Sequence, residues 1–397
     1  MKIAVLVSGG VDSAVVVDKL YKEGHDLHLF YIRIGTDNGE GDCSAEEDIE
    51  LCTLIAHKYG LPLDIVPLHE EYWDNVMKYA LDTVKAGLTP HPDMMCNKII
   101  KFGYFEERVG CKFDKTATGH YARVEERDGI YYLGTAADPV KDQTDFLARI
   151  SQKQLSHLLF PLGDLPKKEV RRIAEEAGLP NAGRKDSQGI CFLGKINYND
   201  FLRRQLGTRK GPVIEIETGR KIGEHEGYWF HTIGQRKGLN MSGGPWYVVR
   251  KNVRDNAVYV SHGFEAEKSY GNLFEVGEMH WLSVDPFQHP EVLGAAQADS
   301  ELTGTHPHIR ITFKNRHNPR FTEGILTRQP DGETYRVESA DEIQGIAPGQ
   351  FAIIYTPDKR YCLGSAVINR QLNRRHKNRK DAPHPADPAD GNCTREA

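Results

Sequence analysis

The stretch Ser8-Gly9-Gly10-Val11-Asp12-Ser13 decides the fold of the first part of this chain. It follows an apolar run, residues 3–7, that is typical of a buried strand, and it opens an apolar-periodic segment, residues 14–23, that is typical of a helix. Paired glycines let the backbone approach an anion closely, the serine hydroxyls donate hydrogen bonds, and a helix N-terminus offers N–H groups. The pattern GxxxxGK[ST] of a Walker loop is absent. The stretch therefore predicts a phosphate-binding turn at a strand–helix junction.

Around this turn the sequence alternates between strand and helix patterns. The predicted strands are 2–7, 27–34, 63–68 and 115–118, and the predicted helices are 14–23, 44–59, 72–86 and 98–109. This alternation predicts an α/β fold with a parallel sheet covered by helices on both faces. After about residue 195 the strands are short and turns are frequent, which favours a small β-rich module followed by an antiparallel β-barrel. The predicted domains are 1–196, 197–268 and 269–370, with a disordered tail at 371–397.

Composition excludes several classes of protein. The 397 residues are 39% hydrophobic and 27% charged, with a net charge of −5, as in a globular protein. Neither a membrane-spanning run nor a signal peptide is visible, so we expect a cytoplasmic protein with no membrane partner. Seven cysteines are scattered without a CxxC pair, which argues against a disulfide framework and a structural zinc site. The overall charge gives no signature of nucleic-acid binding, which leaves such binding to local basic clusters.

Two of the cysteines stand in frames that favour chemistry over packing. Pro92 and Asp93 suit a turn and helix N-cap, which would place Cys96 in a first helical turn beside Lys98. A helix N-terminus and a nearby cation lower the pKa of a thiol. Cys191 follows Ser187-Gln188-Gly189, a segment flexible enough to carry a thiol into and out of a site. Two such thiols, far apart in sequence, predict a sulfur relay.

The phosphate-binding stretch resembles that of the PP-loop ATP pyrophosphatase superfamily, whose members adenylate an oxygen and release pyrophosphate. The resemblance implies that Ser8 to Ser13 hold the phosphates of ATP and that Asp12 is the route to Mg²⁺. It also implies that Gly119 lines the nucleotide site.

Together with both cysteine segments, the chain resembles the tRNA-specific 2-thiouridylases (the MnmA family) from about residue 2 to residue 368. The further motifs that carry this resemblance are TGHYA at 118–122, KDQT at 141–144, FPLG at 160–163, HTIGQRKGL at 231–239, GGPWYV at 243–248 and PGQ at 348–350. The resemblance implies that ATP adenylates the 2-oxygen of the wobble uridine, and that sulfur then replaces that oxygen to give 2-thiouridine. It implies that the substrates are the tRNAs for Glu, Gln and Lys. It also implies an upstream protein that donates persulfide sulfur.

The resemblance also assigns roles to residues. Cys191 is implied as the persulfide carrier, Cys96 as the thiol that attacks the persulfide or ends in a disulfide with Cys191, and Asp93 as an acid–base group. The target uridine would meet His91-Pro92-Asp93. The residues implied to contact tRNA are His120, Lys141, Asp142, Gln143, Arg316, His317 and Gln350. The chain departs from the family at His91, where many members have Asn, and at His317, where the family's arginine is followed by tyrosine.

Other readings of the sequence remain open at this point. One is another adenylating enzyme on the same fold, such as an amidotransferase partner or a lysidine-type synthetase, although neither needs thiols at 96 and 191. Another is a tRNA-binding protein without catalysis, which would be expected to have lost Asp12, Cys96 or Cys191. A third is a redox-sensing dithiol protein regulated by ATP. An iron–sulfur cluster on Cys96, Cys191 and Asp93 would be a further variant of the mechanism.

Overall fold

The computed structural model describes residues 1–35, 43–186, 198–239, 241–262, 270–299, 302–317 and 319–372. Cys191 and the tail from residue 373 lie outside these ranges, so the predictions made for them stay predictions. No helix in the described ranges combines the length and the apolarity that crossing a bilayer requires.

The first part of the chain forms a parallel five-stranded sheet in the order β3-β2-β1-β4-β7. Its strands are β1 (Lys2–Leu6), β2 (Asp26–Arg33), β3 (Leu63–Pro67), β4 (Lys115–Ala117) and β7 (Leu158–Leu159). Ile3, Val5 and residues 14–17 of the first helix are fully buried against one another, as the apolar runs in the sequence predict. The predicted parallel α/β sheet is confirmed.

Helices connect and cover these strands. They are α1 (Val11–Lys22), α2 (Cys43–Tyr59), α3 (His69–Tyr72), α4 (Lys78–Lys85), α5 (Pro92–Met95), α6 (Phe105–Arg108), α7 (Thr144–Leu147), α8 (Gln152–Ser156), α9 (Lys167–Glu176) and α10 (Tyr198–Leu206). Two π-helical stretches, Trp73–Met77 and Cys96–Tyr104, join α3 to α4 and α5 to α6. Short 3₁₀ turns occupy Gly110–Lys112, Tyr228–Phe230 and, interrupted at Gly294, Pro290–Asp299.

A second sheet, in the order β10-β11-β8-β9, forms the central module. Its strands are β8 (Gly211–Glu215), β9 (Lys221–His225), β10 (Trp246–Asn252) and β11 (Ala257–His262). Val213, Val248, Val258 and Val260 form its buried core. The small β-rich module expected after the parallel sheet is therefore present.

Six strands of the nine-stranded third sheet form a barrel in the order β12-β16-β15-β14-β17-β18, closed by pairing of β18 with β12. These strands are β12 (Tyr270–Val276), β14 (His308–Lys314), β15 (Thr322–Arg328), β16 (Tyr335–Gln344), β17 (Phe351–Tyr355) and β18 (Tyr361–Gln371); the short β13 (His280–Trp281) pairs with β18. This confirms the predicted C-terminal β-barrel.

One element crosses the expected domain boundary. The hairpin of β5 (Arg123–Arg127) and β6 (Ile130–Gly134) belongs in sequence to the first part of the chain, yet β6 pairs with β18 of the barrel. The buried core of the first part also continues into the barrel through Leu282, Phe351 and Tyr355. The parallel-sheet part and the barrel therefore pack directly against each other and share one buried core.

Candidate active site

The start of α1 forms a cradle at the carboxyl edge of the parallel sheet. The Ser8 N–H donates to Ser13 Oγ at 3.2 Å, and Ser13 Oγ donates to the Gly10 carbonyl at 3.0 Å. Asn181 Nδ2 donates to the Gly9 carbonyl at 2.7 Å and fixes the turn from outside. Within the described residues no side chain caps α1, so its first-turn N–H groups remain available to an anion.

Two glycines make the cradle possible. Gly9 has φ of +69°, a left-handed conformation that favours glycine, and a Cβ there would lie 2.9 Å from the Cα of Asp48. Gly119 follows β4, which pairs with β1 so that Ala117 lies opposite Val5. A Cβ on Gly119 would lie 3.0 Å from the Ser13 nitrogen. The segment after β4 therefore lies directly against the start of α1, where the sequence predicted Gly119 to line the site.

A network of charged side chains extends from the Asp12 carboxylate in the cradle. Asp12 Oδ1 accepts hydrogen bonds from the Tyr121 hydroxyl at 2.8 Å and from Lys167 Nζ at 2.6 Å. Lys167 Nζ also lies 2.8 Å from Asp186, which Lys141 approaches to 2.6 Å. Burial opposes ionisation of Asp186, yet its hydrogen bonds with Lys141 and Lys167 hold the pKa of its carboxyl well below the usual range.

The predicted thiol segment forms a continuous helical stretch whose first turn begins at His91. The His91 Nδ1 accepts a hydrogen bond from the Met94 N–H at 3.4 Å, and Pro92 occupies the first helical position. Cys96, which is partly exposed, is the first residue of the π-helix. π-helical segments are rare and occur frequently at functional sites. The predicted helix around Cys96 is present, but its N-cap is His91 and Asp93 lies inside its first turn. Cys96 therefore follows the first turn and does not lie in it as predicted, and its π-helical form had no signal in the sequence.

Burial shifts the ionisable groups near Cys96 towards their neutral forms. Burial raises the pKa of Asp93, although His91 and Lys101 oppose that shift. Burial also lowers the pKa of His91, against the opposing charge of Asp93. His120 packs between the rings of Phe102 and Phe160 and hydrogen-bonds Thr118 Oγ1 at 2.7 Å, and burial lowers its pKa well below the usual value. Burial therefore favours neutral imidazoles at His91 and His120 and favours proton uptake by the Asp93 carboxylate.

The barrel contributes His317 to this region. Its Nδ1 lies 2.8 Å from Asp145 Oδ2, and its ring centroid lies 4.5 Å from that of Phe146. The Phe146 ring in turn lies 5.6 Å from the ring of His91. The hydrogen bond to Asp145 raises the pKa of His317, which favours its cationic form. His91 and His317, which the sequence places far apart, thus meet around Phe146.

Several residues predicted to contact tRNA have other contacts here. Asp142 is 2% exposed and pairs at 2.8 Å with Lys314, so its burial does not suit the direct RNA contact predicted for it. Arg316 donates to the carbonyls of Gly345 and Ile233 at 3.1 and 3.0 Å and so joins the central module to the barrel.

Gln143 and Gln350 are both partly buried. The Gln143 Oε1 accepts from the Tyr121 N–H at 3.1 Å. Gln350 lies in the loop at 346–350, which meets the chain just before His91 because the Thr89 N–H donates to the Pro348 carbonyl at 3.0 Å. The loop that carries Gln350 thus supports the segment that presents His91.

Lys167, Tyr121 and Asp145 are not among the predicted site residues, although Tyr121 lies within the TGHYA motif at 118–122. Lys167 stands next to Lys168 in a charged helix, and nothing in that pattern separates the two. Only the packing of α9 against α1 shows which lysine reaches Asp12. Within the described residues, no group of three or more His, Cys, Asp and Glu side chains is arranged to hold a metal ion by itself.

In comparisons with known proteins, three family models match successive parts of the chain. The model of the tRNA methyl transferase HUP domain matches residues 1–195, that of the tRNA methyl transferase PRC-barrel domain residues 199–262, and that of the aminomethyltransferase beta-barrel domain residues 275–368. The tRNA-specific 2-thiouridylase MnmA 1 of Bacteroides thetaiotaomicron is 57% identical over 371 residues, 93% of this chain and 100% of that protein. The tRNA-specific 2-thiouridylase MnmA of Parabacteroides distasonis is 55% identical over 370 residues, 93% of this chain and 99% of that protein.

Proposed function

This chain belongs to the family of the tRNA-specific 2-thiouridylases, and from that premise we propose that it is an ATP-dependent tRNA-uridine 2-sulfurtransferase. Its reaction replaces the 2-oxygen of the wobble uridine by sulfur. The observation that carries the proposal is identity of 57% over 93% of the chain, in a protein that keeps both the cradle at Ser8–Ser13 and the thiol of Cys96.

The cradle would bind ATP and support adenylation of the uridine. The 2-oxygen attacks the α-phosphorus, the bond from that phosphorus to the bridging oxygen breaks, and pyrophosphate leaves with the electron pair. First-turn N–H groups and the hydroxyls of Ser8 and Ser13 would hold the phosphates. Asp12 fits Mg²⁺ because carboxylate oxygens are its usual protein ligands, and the ion would neutralise phosphate charge when bound.

Asp93 would exchange the proton that this step requires. Adenylation at the 2-oxygen removes the proton from N3 of uridine, and a carboxylate beside the base can accept it. The raised pKa of Asp93 supports this role because a base works best when its pKa lies near the working pH. His91 and Pro92 would contact the base beside it, and Phe146 offers a ring for stacking at the same place.

Sulfur would arrive as a persulfide on Cys191, loaded by a donor protein. The Cys96 thiolate would attack the Cys191 sulfur, forming a Cys96–Cys191 disulfide and expelling hydrosulfide. Hydrosulfide then adds to C2 of the adenylated uridine and AMP departs with the oxygen. A thiol reductant must reduce the disulfide before the next cycle. The partial exposure of Cys96 at the start of a π-helix supports an accessible thiol.

The tRNA substrate would meet both the parallel-sheet part and the barrel. His317 and Lys141, whose side chains are 48% and 35% exposed, would contact tRNA directly, and His120, Gln143, Arg316 and Gln350 would line or support the same path. We propose that Asp142 acts by holding the barrel to the catalytic part rather than by touching RNA. The substrates would be the tRNAs for Glu, Gln and Lys.

A second candidate function, methyl transfer to tRNA, is favoured by the descriptions of two matching domain models. Methyl transfer makes no use of a phosphate cradle, whereas adenylation requires one.

The test uses purified enzyme with ATP, Mg²⁺, unmodified tRNA and a donor carrying labelled sulfur. We expect tRNA-dependent pyrophosphate release and labelled tRNA from the wild type and from the control Cys111→Ser, and neither from Asp12→Asn. Unlabelled tRNA with the wild type, or full activity of Asp12→Asn, would contradict the proposal.

A further inference from the structure

A cavity of about 280 Å³ lies between the segment that presents His91 and the central module. Pro92 of that segment and His231 and Lys251 of the central module line it. We propose that this cavity binds a phosphate group of the tRNA backbone next to the target uridine, and that Lys251 provides the positive charge for it. This contact depends on the tRNA substrate proposed above, and Lys251 belongs to none of the motifs that carry the family resemblance.

Lys251 brings positive charge into a cavity without acidic lining. It lies on β10, and neither Asp nor Glu is among the described residues that line the cavity. Burial lowers the pKa of Lys251 to about 8, and no carboxylate within the described ranges opposes that shift. The ammonium is therefore still charged at neutral pH, although its surroundings disfavour the charge. An anion in the cavity would pair with the ammonium and offset the cost of burying it.

Two rings in the lining offer further donors to the same ligand. Trp229 Nε1 and His231 Nδ1 are buried, and neither has a hydrogen-bond partner in the part of the chain that the structure describes. An indole N–H can only donate. His231 is 8% exposed and burial lowers its pKa to about 4, so its imidazole is neutral and can carry its proton on Nδ1. A phosphate group has several oxygens that accept hydrogen bonds, so it can satisfy these donors together with the Lys251 ammonium.

The place of the cavity favours RNA as the source of the phosphate. Pro90 and Pro92 both line it, and they flank His91, for which contact with the target uridine is proposed. A phosphate that adjoins this nucleotide would therefore lie within reach of Lys251. ATP, in contrast, would bind the cradle at Ser8–Ser13, which contributes none of the described lining residues. Because phosphate contacts position a nucleic acid without reading its sequence, Lys251 would hold the RNA in place for thiolation.

Salt dependence separates a phosphate contact from a structural role. Each phosphate that a protein neutralises adds about 0.7 to 0.9 to the slope of log affinity against log salt concentration. Lys251→Gln removes the charge, Lys251→Arg keeps it, and Lys221→Gln is the matched control. Lys221 lies on β9 of the same sheet, 56% of its side chain is exposed, and it pairs with Glu224 at 2.8 Å.

The first measurement is filter binding of unmodified tRNA over a series of salt concentrations. The others are the KM for ATP, the inhibition of pyrophosphate release by added inorganic phosphate, and the melting temperature. For Lys251→Gln we expect tRNA affinity to fall about tenfold and the slope to lose about 0.7 to 0.9 in magnitude. The KM for ATP and the melting temperature should stay at the values of Lys221→Gln, and Lys251→Arg should keep the wild-type slope.

Wild-type affinity and slope in Lys251→Gln would overturn the proposed contact. Weaker binding with an unchanged slope would also overturn it, because that result would assign Lys251 to the fold or to contact with a base. Altered inhibition by inorganic phosphate with unchanged tRNA affinity would show that the cavity takes a free anion and not RNA. Absence of tRNA-dependent pyrophosphate release from the wild type would instead contradict the proposed function.

Discussion

The buried ion pair between Lys314 and Asp142 gives a prediction that can be worked out from the structure. Lys314 ends β14 of the barrel and Asp142 belongs to the parallel-sheet part, with Nζ and Oδ2 2.8 Å apart. Their side chains are 0% and 1% exposed. The same Oδ2 accepts from Thr144 Oγ1 at 2.9 Å, and Oδ1 accepts from the Ala136 N–H at 3.1 Å. Lys314→Met would leave a buried carboxylate without its cation.

Removing one partner of a buried ion pair costs about 3–5 kcal/mol. The two remaining donors to Asp142 offset part of this loss, so we expect Lys314→Met to lower the free energy of unfolding by about 3 kcal/mol. The double variant Asp142→Asn with Lys314→Met carries no charge at either of these two positions. Because replacing a whole buried pair is often nearly neutral, the double variant should lie closer to the wild type than Lys314→Met does.

The assay is urea unfolding of the three proteins, followed by tryptophan fluorescence, to which Trp281 contributes from its place against the barrel core. Arg320→Met is a suitable control, because Arg320 is an exposed cation near the same end of the barrel. Equal stability of Lys314→Met and Arg320→Met, or a double variant less stable than Lys314→Met, would refute this expectation.

Three further predictions concern the proposed chemistry. Cys191→Ser should lose persulfide loading yet still release pyrophosphate, whereas Cys96→Ser should carry the persulfide but form no thiouridine. Mass spectrometry of each variant after loading with labelled sulfur checks where the persulfide lies. Label on Cys96 in the wild type would contradict the proposed division of roles. Deleting residues 371–397 should weaken tRNA binding at most a few fold in a filter-binding assay, and complete loss would refute that expectation. Because Asp145 raises the pKa of His317, tRNA affinity should fall as the pH rises through that raised value and the imidazolium loses its proton. In His317→Gln this pH-dependent loss should be absent, and an identical pH profile would exclude the role.

Local sequence patterns predicted most of the fold, because apolar periodicity and turn residues report on nearby structure. They located β1, the turn at Ser8–Ser13, α1 and the helix that carries Cys96. The pairing of β6 with β18 escaped prediction because it joins residues more than two hundred positions apart, and no local pattern encodes such a partner.

The same limit applies to the site. Motifs predicted Asp12 and Cys96 as site residues, and the family resemblance predicted His317, but neither revealed what surrounds these residues. The contact of Lys167 with Asp12 depends on how α9 packs on α1, and that of His317 with Asp145 depends on how the barrel meets the catalytic part. Burial likewise changed the interpretation of Asp142, for which the family resemblance implies an RNA contact.

The central claim is that this enzyme places sulfur on C2 of the wobble uridine. The most direct test is nucleoside mass analysis of tRNA from a strain that lacks the gene, complemented with the wild type or with Cys96→Ser. We predict that the wild type restores a nucleoside in which sulfur replaces oxygen, and that Cys96→Ser leaves that uridine unthiolated. A nucleoside that gains a methyl group instead, or full thiolation with Cys96→Ser, would contradict the account.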